Sequence, residues 1–314
     1  MACSAAEIEG LSPVWDSLLP PDLSLFQSYR WNRLAAQVFG LREQPNFIFV
    51  ESGAGIAIIP AVIDTQSLSV RFAGELLFDY RDYLARGDEA PLNRAWQELS
   101  MLNLPLSITA ICRPESGAWR QTPKSFFSRA PRLENNAITA EQFEQQHSRA
   151  FSRLKRLDRM GLRIAQYPGD SSVVRHIYQL RARQSAEGEL FHDPSRVEFM
   201  VAVCREERSA CEVFTLEHGS TLAAALITFR DNGVRRFYTT YYHRGWARYS
   251  PGISLLFGVA RRSLAQGLSC DLMTGEQPYK MRIAPEAQDL FQVQATAQQL
   301  REAFPASTSA ERAA

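Results

Sequence analysis

Residues 47–63, FIFVESGAGIAIIPAVI, align without a gap on residues 213–229, VFTLEHGSTLAAALITF, at an offset of 166. Gly53 falls on Gly219 and Glu51 on Glu217. Each segment is a β-rich run, a glycine turn and a second β-rich run. A further β-like stretch follows in each half: SLSVRFAG (67–74) and VRRFYTTYYH (234–243). The hairpin signal Asp231-Asn232-Gly233 introduces the latter. A helical pattern comes next, residues 91–103 around Trp96 and residues 251–266, and then a short strand, 105–112 and 268–273. The order β-β-β-α-β thus occurs twice, and duplication accounts for five matching elements better than chance. Such a chain is expected to form two similar mixed α/β lobes.

The expected boundaries are an N-terminal extension over 1–19, a first lobe over 20–135, a second over 136–300 and a disordered tail over 301–314. The lobes are joined by residues 114–136, rich in Pro, Ser and Arg, which read as loop with some strand. Residues 141–166 then read as helix, with Phe151, Leu154 and Leu157 on one side and Arg149, Arg153 and Arg156 on another. Between 149 and 183 there are nine Lys/Arg and two Asp, although the whole chain carries a net charge of only +1. This stretch is either a solvated helix face or a site for phosphates or another anionic group.

Other chemistry is thinly represented. The five cysteines, Cys3, Cys112, Cys204, Cys211 and Cys270, contain no C-x-x-C pair and no metal-ligand spacing with the five histidines. No metal site is expected, and the pattern suits buried thiols in a reducing cytoplasm. The first ten residues lack a basic region followed by an apolar stretch, and no run of 18 apolar residues occurs, so neither export nor membrane spanning is expected. Nucleophile elbow, P-loop and dinucleotide fingerprints are absent.

The strongest local signal is RYSPGI, residues 248–253. Ser250 suits a helix N-cap and Pro251 the first helical position. Gly252 serves neither purpose and weakens a helix by roughly 1 kcal/mol relative to alanine. One reading is a plain capped helix. The other is a phosphate cradle, in which Gly252 admits oxygens to the backbone and Arg244 and Arg248 supply charge. Downstream, CDLMTGEQPYKMRI (270–283) offers four candidates. Asp271 is either a base that deprotonates or orients a nucleophile, or the cap of a turn. Glu276 is a second base or a solvated loop residue. Tyr279 is a proton donor to a thiolate, a substrate contact or a half-buried aromatic. Lys280 would hold a carboxylate, phosphate or oxyanion. His192, in a polar loop before a helix, is a candidate acceptor contact or a solvated residue.

These features together resemble the GCN5-related N-acetyltransferase (GNAT) superfamily, and more narrowly the CelD/BcsL-type acetyltransferases. The resemblance rests on the tyrosine-rich strand, Tyr249-Ser250-Pro251-Gly252 opening a helix, and Asp271, Gly275 and Tyr279-Lys280 after the next strand. The basic FSRLKRLDRMG, TFR at 228–230 and FDYRDYL at 78–84 add to it. Leu272 stands where an aromatic is usual. The resemblance implies two tandem GNAT-like lobes, each a mostly antiparallel sheet flanked by helices, a layout shared with FemABX-type ligases. It implies an acyltransferase moving an acyl group, acetyl by the family pattern, from acetyl-CoA or another acyl-CoA to an amine or hydroxyl. The donor would lie on Arg244, Arg248, Tyr249, Ser250, Gly252 and Ile253. The acceptor, a small molecule or glycan precursor, would lie between the lobes near Asp271, Tyr279 and Lys280, with His192, Tyr241 and Arg153 as further contacts. Pro251 and Ile253 depart from the usual glycine-rich turn, so two alternatives stay open. One is an aminoacyl-tRNA-dependent ligase, the only case with a nucleic-acid partner. The other is a GNAT-fold binding protein without catalysis.

Overall fold

A computed structural model describes residues 1, 5–19, 24–74, 77–186 and 189–305. The chain forms two compact units, Met1–Ser128 with Asp289–Ala314, and Arg129–Gln288.

The first unit holds β1 (Glu43–Pro45), β2 (Ile48–Ser52), β3 (Gly55–Ile59), β4 (Ala61–Asp64), β5 (Ser69–Phe72), β6 (Leu84–Arg86) and β7 (Leu106–Ile111). The β-rich run 47–63 does not stay in one sheet. Pro60, which has no N–H for a ladder, separates β3 from β4. β3 pairs with β2 and β6, whereas β4 pairs with β1 and β5. The helix Ala90–Met101 carries Trp96 into the core, edge-on to Trp119 at 5.2 Å and stacked on Phe304 at 5.0 Å.

Phe304 lies outside the first lobe as read from the sequence. Val293, Ala295, Leu300 and Phe304 are all buried in this core, so residues from Asp289 onward belong with the first unit rather than with a lobe ending at 300. The expected disordered tail accordingly loses its first part to the helix Ala297–Ala303 and to buried Phe304. Residues 306–314 lie outside the described residues, as does Cys3.

β8 (Lys124–Leu133) leads into the second unit, which holds β9 (Arg163–Pro168), β10 (Cys211–His218), β11 (Thr221–Asp231), β12 (Val234–Tyr242) and β13 (Ser269–Asp271). Their order across the sheet is β8-β13-β12-β11-β10-β9. β14 (Glu286–Ala295) returns to pair with β7. The helices Ser148–Arg159 and Pro251–Ala265 cover one core, where Phe143, Phe151, Leu157, Phe257 and Leu264 are buried. The predicted helix over 141–166 is interrupted. It breaks at His147, ends at Arg159, and turns at Gly161 (φ +86°), so that Arg163–Pro168 becomes a strand beside β10.

The two units share backbone detail. Gly53 and Gly219 turn their hairpins at φ +57° and +56°, a conformation costly for residues with a β-carbon. In each unit a strand ahead of the helix pairs in parallel with the strand after it: β5 with β7, across β6 and the helix Ala90–Met101, and β12 with β13, across the helix Pro251–Ala265. Cys204, Cys211 and Cys270 are buried thiols and Cys112 is half-buried.

Candidate donor and acceptor site

The second unit contains a notch in its sheet. β13 meets β12 only through Val234↔Ser269, Arg235↔Cys270 and Arg236↔Asp271. β12 runs on to Tyr242, paired there with β11 alone. The separation has a local cause. Met273 adopts φ +64°, while the amides of Leu272 and Gly275 donate to the carbonyls of Pro131 (2.9 Å) and Arg129 (2.7 Å). The chain after β13 therefore follows β8 and leaves β12. A strand edge without a partner offers N–H and C=O groups to any ligand that carries amides.

At the far end of β12 a tight turn, Arg244–Tyr249, leads into the helix Pro251–Ala265. Ser250 occupies the N-cap place, but in the left-handed conformation (φ +50°, ψ +51°), and its side chain caps nothing. The hydroxyl that the sequence offers as a cap thus leaves the first helical amides uncapped. Pro251 has no N–H, so Gly252 and Ile253 present them. A β-carbon on Gly252 would meet nothing closer than Tyr242 Cβ at 3.4 Å, an ordinary contact, so internal packing does not demand glycine here.

Positive charge gathers at this helix start. Arg248 lies over the Tyr249 ring at 4.6 Å, and Arg156 lies over the same ring at 5.7 Å. Arg156 gets there because its helix packs closely on Pro251–Ala265: a β-carbon at Gly258 would come within 3.1 Å of Leu154 Cδ2. The sequence marked this helix as basic without linking Arg156 to the turn. Arg244 donates to the Gln184 carbonyl at 3.4 Å. Arg153 is exposed on the same basic helix.

The residues after β13 are tightly held. Asp271 is 1 % exposed; its Oδ2 accepts from Arg236 at 2.6 Å and its Oδ1 from the Met273 amide at 2.8 Å. Of the two readings of Asp271, its observed bonds are those of a turn cap, joined to a buried ion pair. Lys280 is buried and donates to the carbonyls of Met273 (3.2 Å) and Thr274 (2.7 Å), which fastens the turn below the notch. Glu276 is exposed and pairs loosely with Arg129 at 3.5 Å. Tyr279 is half-buried on the short helix Pro278–Ile283; burial raises its phenol above the usual range, and the charge of Arg181 partly offsets this.

His192 is exposed, while its neighbour Phe191 is buried against Arg181 at 4.4 Å. Tyr241 is buried on β12, its phenol also raised by burial, and Tyr242 beside it is exposed. The structure therefore gathers Arg248, Tyr249, Ser250, Gly252 and Ile253 at one end of the notch, and Asp271 and Lys280 at the turn below it. Arg181 and Phe191 were missed in the sequence because neither belongs to a local motif. Among the described residues no group of three His, Cys, Asp or Glu is arranged to hold a metal ion, and no helix is long and apolar enough to cross a membrane.

Residues 142–281, nearly all of the second unit, match the family described as "Acetyltransferase (GNAT) domain". No curated protein sequence matches the chain. Among solved structures, the chain is similar to the C-terminal domain of a protein described as a lysylphosphatidylglycerol synthetase from Agrobacterium fabrum. That pair has a TM-score of 0.61 and 12% identity, covering 95% of each chain. It is also similar to L-PGS from Bacillus licheniformis (TM-score 0.58, 10% identity, covering 86% of this chain and 91% of that one). FemX gives a TM-score of 0.56 at 9% identity, covering 96% of this chain and 98% of that one. At such identities the likeness is one of fold.

Proposed function

We propose that the protein is an acyltransferase that takes an acyl group from acyl-CoA, acetyl by the family pattern, and delivers it to an amine or hydroxyl. One observation carries this reading: an uncapped helix start with Arg156 and Arg248 at its mouth adjoins the end of an unpaired strand edge. A donor with phosphates at one end and an amide-bearing arm leading to its thioester has the matching order of groups.

The magnitudes are consistent. Micromolar affinity requires about 8 kcal/mol. A helix end supplies about 0.3–1 kcal/mol, up to ~2 in favourable geometry. Hydrogen bonds to a charged group add about 1.5–3 kcal/mol each. Two amides and two arginines therefore hold the phosphates, and strand pairing along β12 contributes the remainder. The Tyr279 phenol, raised by burial, stays protonated through neutral pH and is suited to donate a hydrogen bond to the departing thiolate. Asp271 and Lys280 act as positioning residues for the turn 272–275. The narrower CelD/BcsL-type assignment rests on the motif at 249–252 and 271–280.

A second reading has its own support. Arg149, Arg153 and Arg156 recur at i, i+4 and i+7 on one exposed helix face, and Arg159 follows. Arg149, Arg153 and Arg159 make no ion pair among the described residues. Such a row extends about 10 Å, more than one pyrophosphate needs, and suits a polynucleotide such as aminoacyl-tRNA. One structurally similar protein is described as a lysylphosphatidylglycerol synthetase, a name that includes an aminoacyl group.

Binding measured against salt separates the two. Acetyl-CoA is expected to bind at micromolar concentration with a shallow dependence on salt. A tRNA donor engaging about four arginines would give a slope of log K against log salt near −3. Tight, steeply salt-dependent tRNA binding without acetyl-CoA binding would replace the first reading by the second.

A further inference from the structure

At the notch, the half-buried Arg181 is a group to which the donor reading gives no role. It lies in the last turn of the helix Ser172–Gln184. Its Nε is shielded from solvent and has no hydrogen-bond partner. Among the described residues its guanidinium makes no hydrogen bond and no ion pair, and its contact is the Phe191 ring at 4.4 Å. Burial pulls its pKa below the ordinary arginine value, yet an arginine keeps its charge at neutral pH. A partly desolvated guanidinium that bonds to no acceptor carries an uncompensated cost, and a bound anion offsets it.

Its surroundings say where such an anion would sit. Tyr178, one turn earlier, hydrogen-bonds Thr239 of β12 at 3.2 Å and stacks on Phe191 at 6.0 Å. Gln184, one turn later, donates to the Tyr242 carbonyl at 3.3 Å. The helix end is thus tied to the part of β12 that β13 leaves open. Tyr279, beyond β13, lies close enough to sense the guanidinium. Arg181 therefore stands at the end of a helix held against the open part of β12, within electrostatic reach of the phenol assigned to the leaving thiolate.

The charge count narrows the ligand. One guanidinium matches one carboxylate in forked geometry. A phosphate carries more charge, and the nearby Glu189 carboxylate would oppose the excess. The exposed ring of Tyr242 and the half-buried ring of Tyr279 offer apolar surface to the body of a small molecule.

We propose that Arg181 binds the carboxylate of the acceptor, so that the substrate is a small carboxylic acid with an apolar or aromatic body and a free amine or hydroxyl. The acceptor role rests on the acyl-transfer reading; the carboxylate site itself does not.

The test therefore begins with the protein without donor, titrated with benzoate, benzamide and phenyl phosphate by ligand-observed NMR. Benzoate is expected to bind in the millimolar range and benzamide at least 30-fold more weakly. Arg181→Lys, which keeps the charge but loses the fork, should weaken benzoate about tenfold, and Arg181→Met should abolish binding. Arg181→Met should also hold or raise Tm, because it removes a half-buried cation that bonds to no acceptor. Equal binding of benzoate and benzamide, or benzoate binding unchanged in a folded Arg181→Met, overturns the site. Tighter binding of phenyl phosphate overturns the carboxylate assignment. Failure of acetyl-CoA to bind in a parallel titration would overturn the donor reading while leaving the benzoate result to stand or fall alone.

Discussion

Gly252→Val is expected to weaken acetyl-CoA binding by roughly 100-fold or more while leaving the unliganded fold intact. The branched side chain would stand over the amides of residues 252 and 253 and keep phosphate oxygens from reaching them. Losing two charge-assisted hydrogen bonds costs about 3 kcal/mol or more, and 1.4 kcal/mol is tenfold in affinity. The folded protein tolerates the change, since the position has ordinary clearance to Tyr242 and valine is no worse a helix former than glycine. Stability measured in urea should stay within about 1 kcal/mol. If binding fell only in proportion to lost stability, the helix start would be a structural cap and nothing more.

The second large effect concerns Asp271. Asp271→Ala leaves Arg236, which is nearly inaccessible, with one of its two carboxylate partners removed and strips the Met273 amide of its acceptor. Breaking a buried pair costs about 3–5 kcal/mol. The low end is expected, because Asp231 still accepts from Arg236 Nε at 2.8 Å. Asp271→Asn keeps an acceptor for Met273 and should be milder. In both variants kcat per folded molecule should fall by less than tenfold, with loss of folded protein as the dominant effect. A fully folded Asp271→Asn with kcat reduced a thousandfold would make Asp271 the general base and overturn its assignment as a positioning residue.

Much of this architecture is written locally. The repeat could be read because a hairpin with a left-handed glycine needs only a few adjacent residues, and Gly53 and Gly219 carry that requirement in both halves. The helix start at Ser250-Pro251-Gly252 is local in the same way. What could not be read depends on long-range packing. Phe304 finds Trp96 across most of the chain, so the C-terminal segment looks like an adjunct of the second lobe until the core is seen. Pro60 breaks a run whose composition is uniformly β-like. Arg163–Pro168 continues a basic helical pattern, and only its ladder with β10 makes it a strand.

The site divides along the same line. Arg248 and Gly252 stand in one short motif, whereas Arg156 joins them through a helix–helix contact and Arg181 through the end of another helix. The sequence pointed to His192 where the structure buries Phe191, because an ionisable side chain draws notice and the aromatic beside it does not. Lys280 illustrates the converse. Its place in the motif suggested a ligand contact, while its amine holds the carbonyls of Met273 and Thr274.

In the proposed donor site, the first free amides of the helix Pro251–Ala265 grip the donor's phosphates. Amide resonances followed while acetyl-CoA is added test it most directly. Large, saturable downfield shifts are expected for Gly252 and Ile253, lost when the phosphate-free fragment acetyl-pantetheine replaces acetyl-CoA. Saturation by acetyl-CoA with both of these amides unmoved would contradict it.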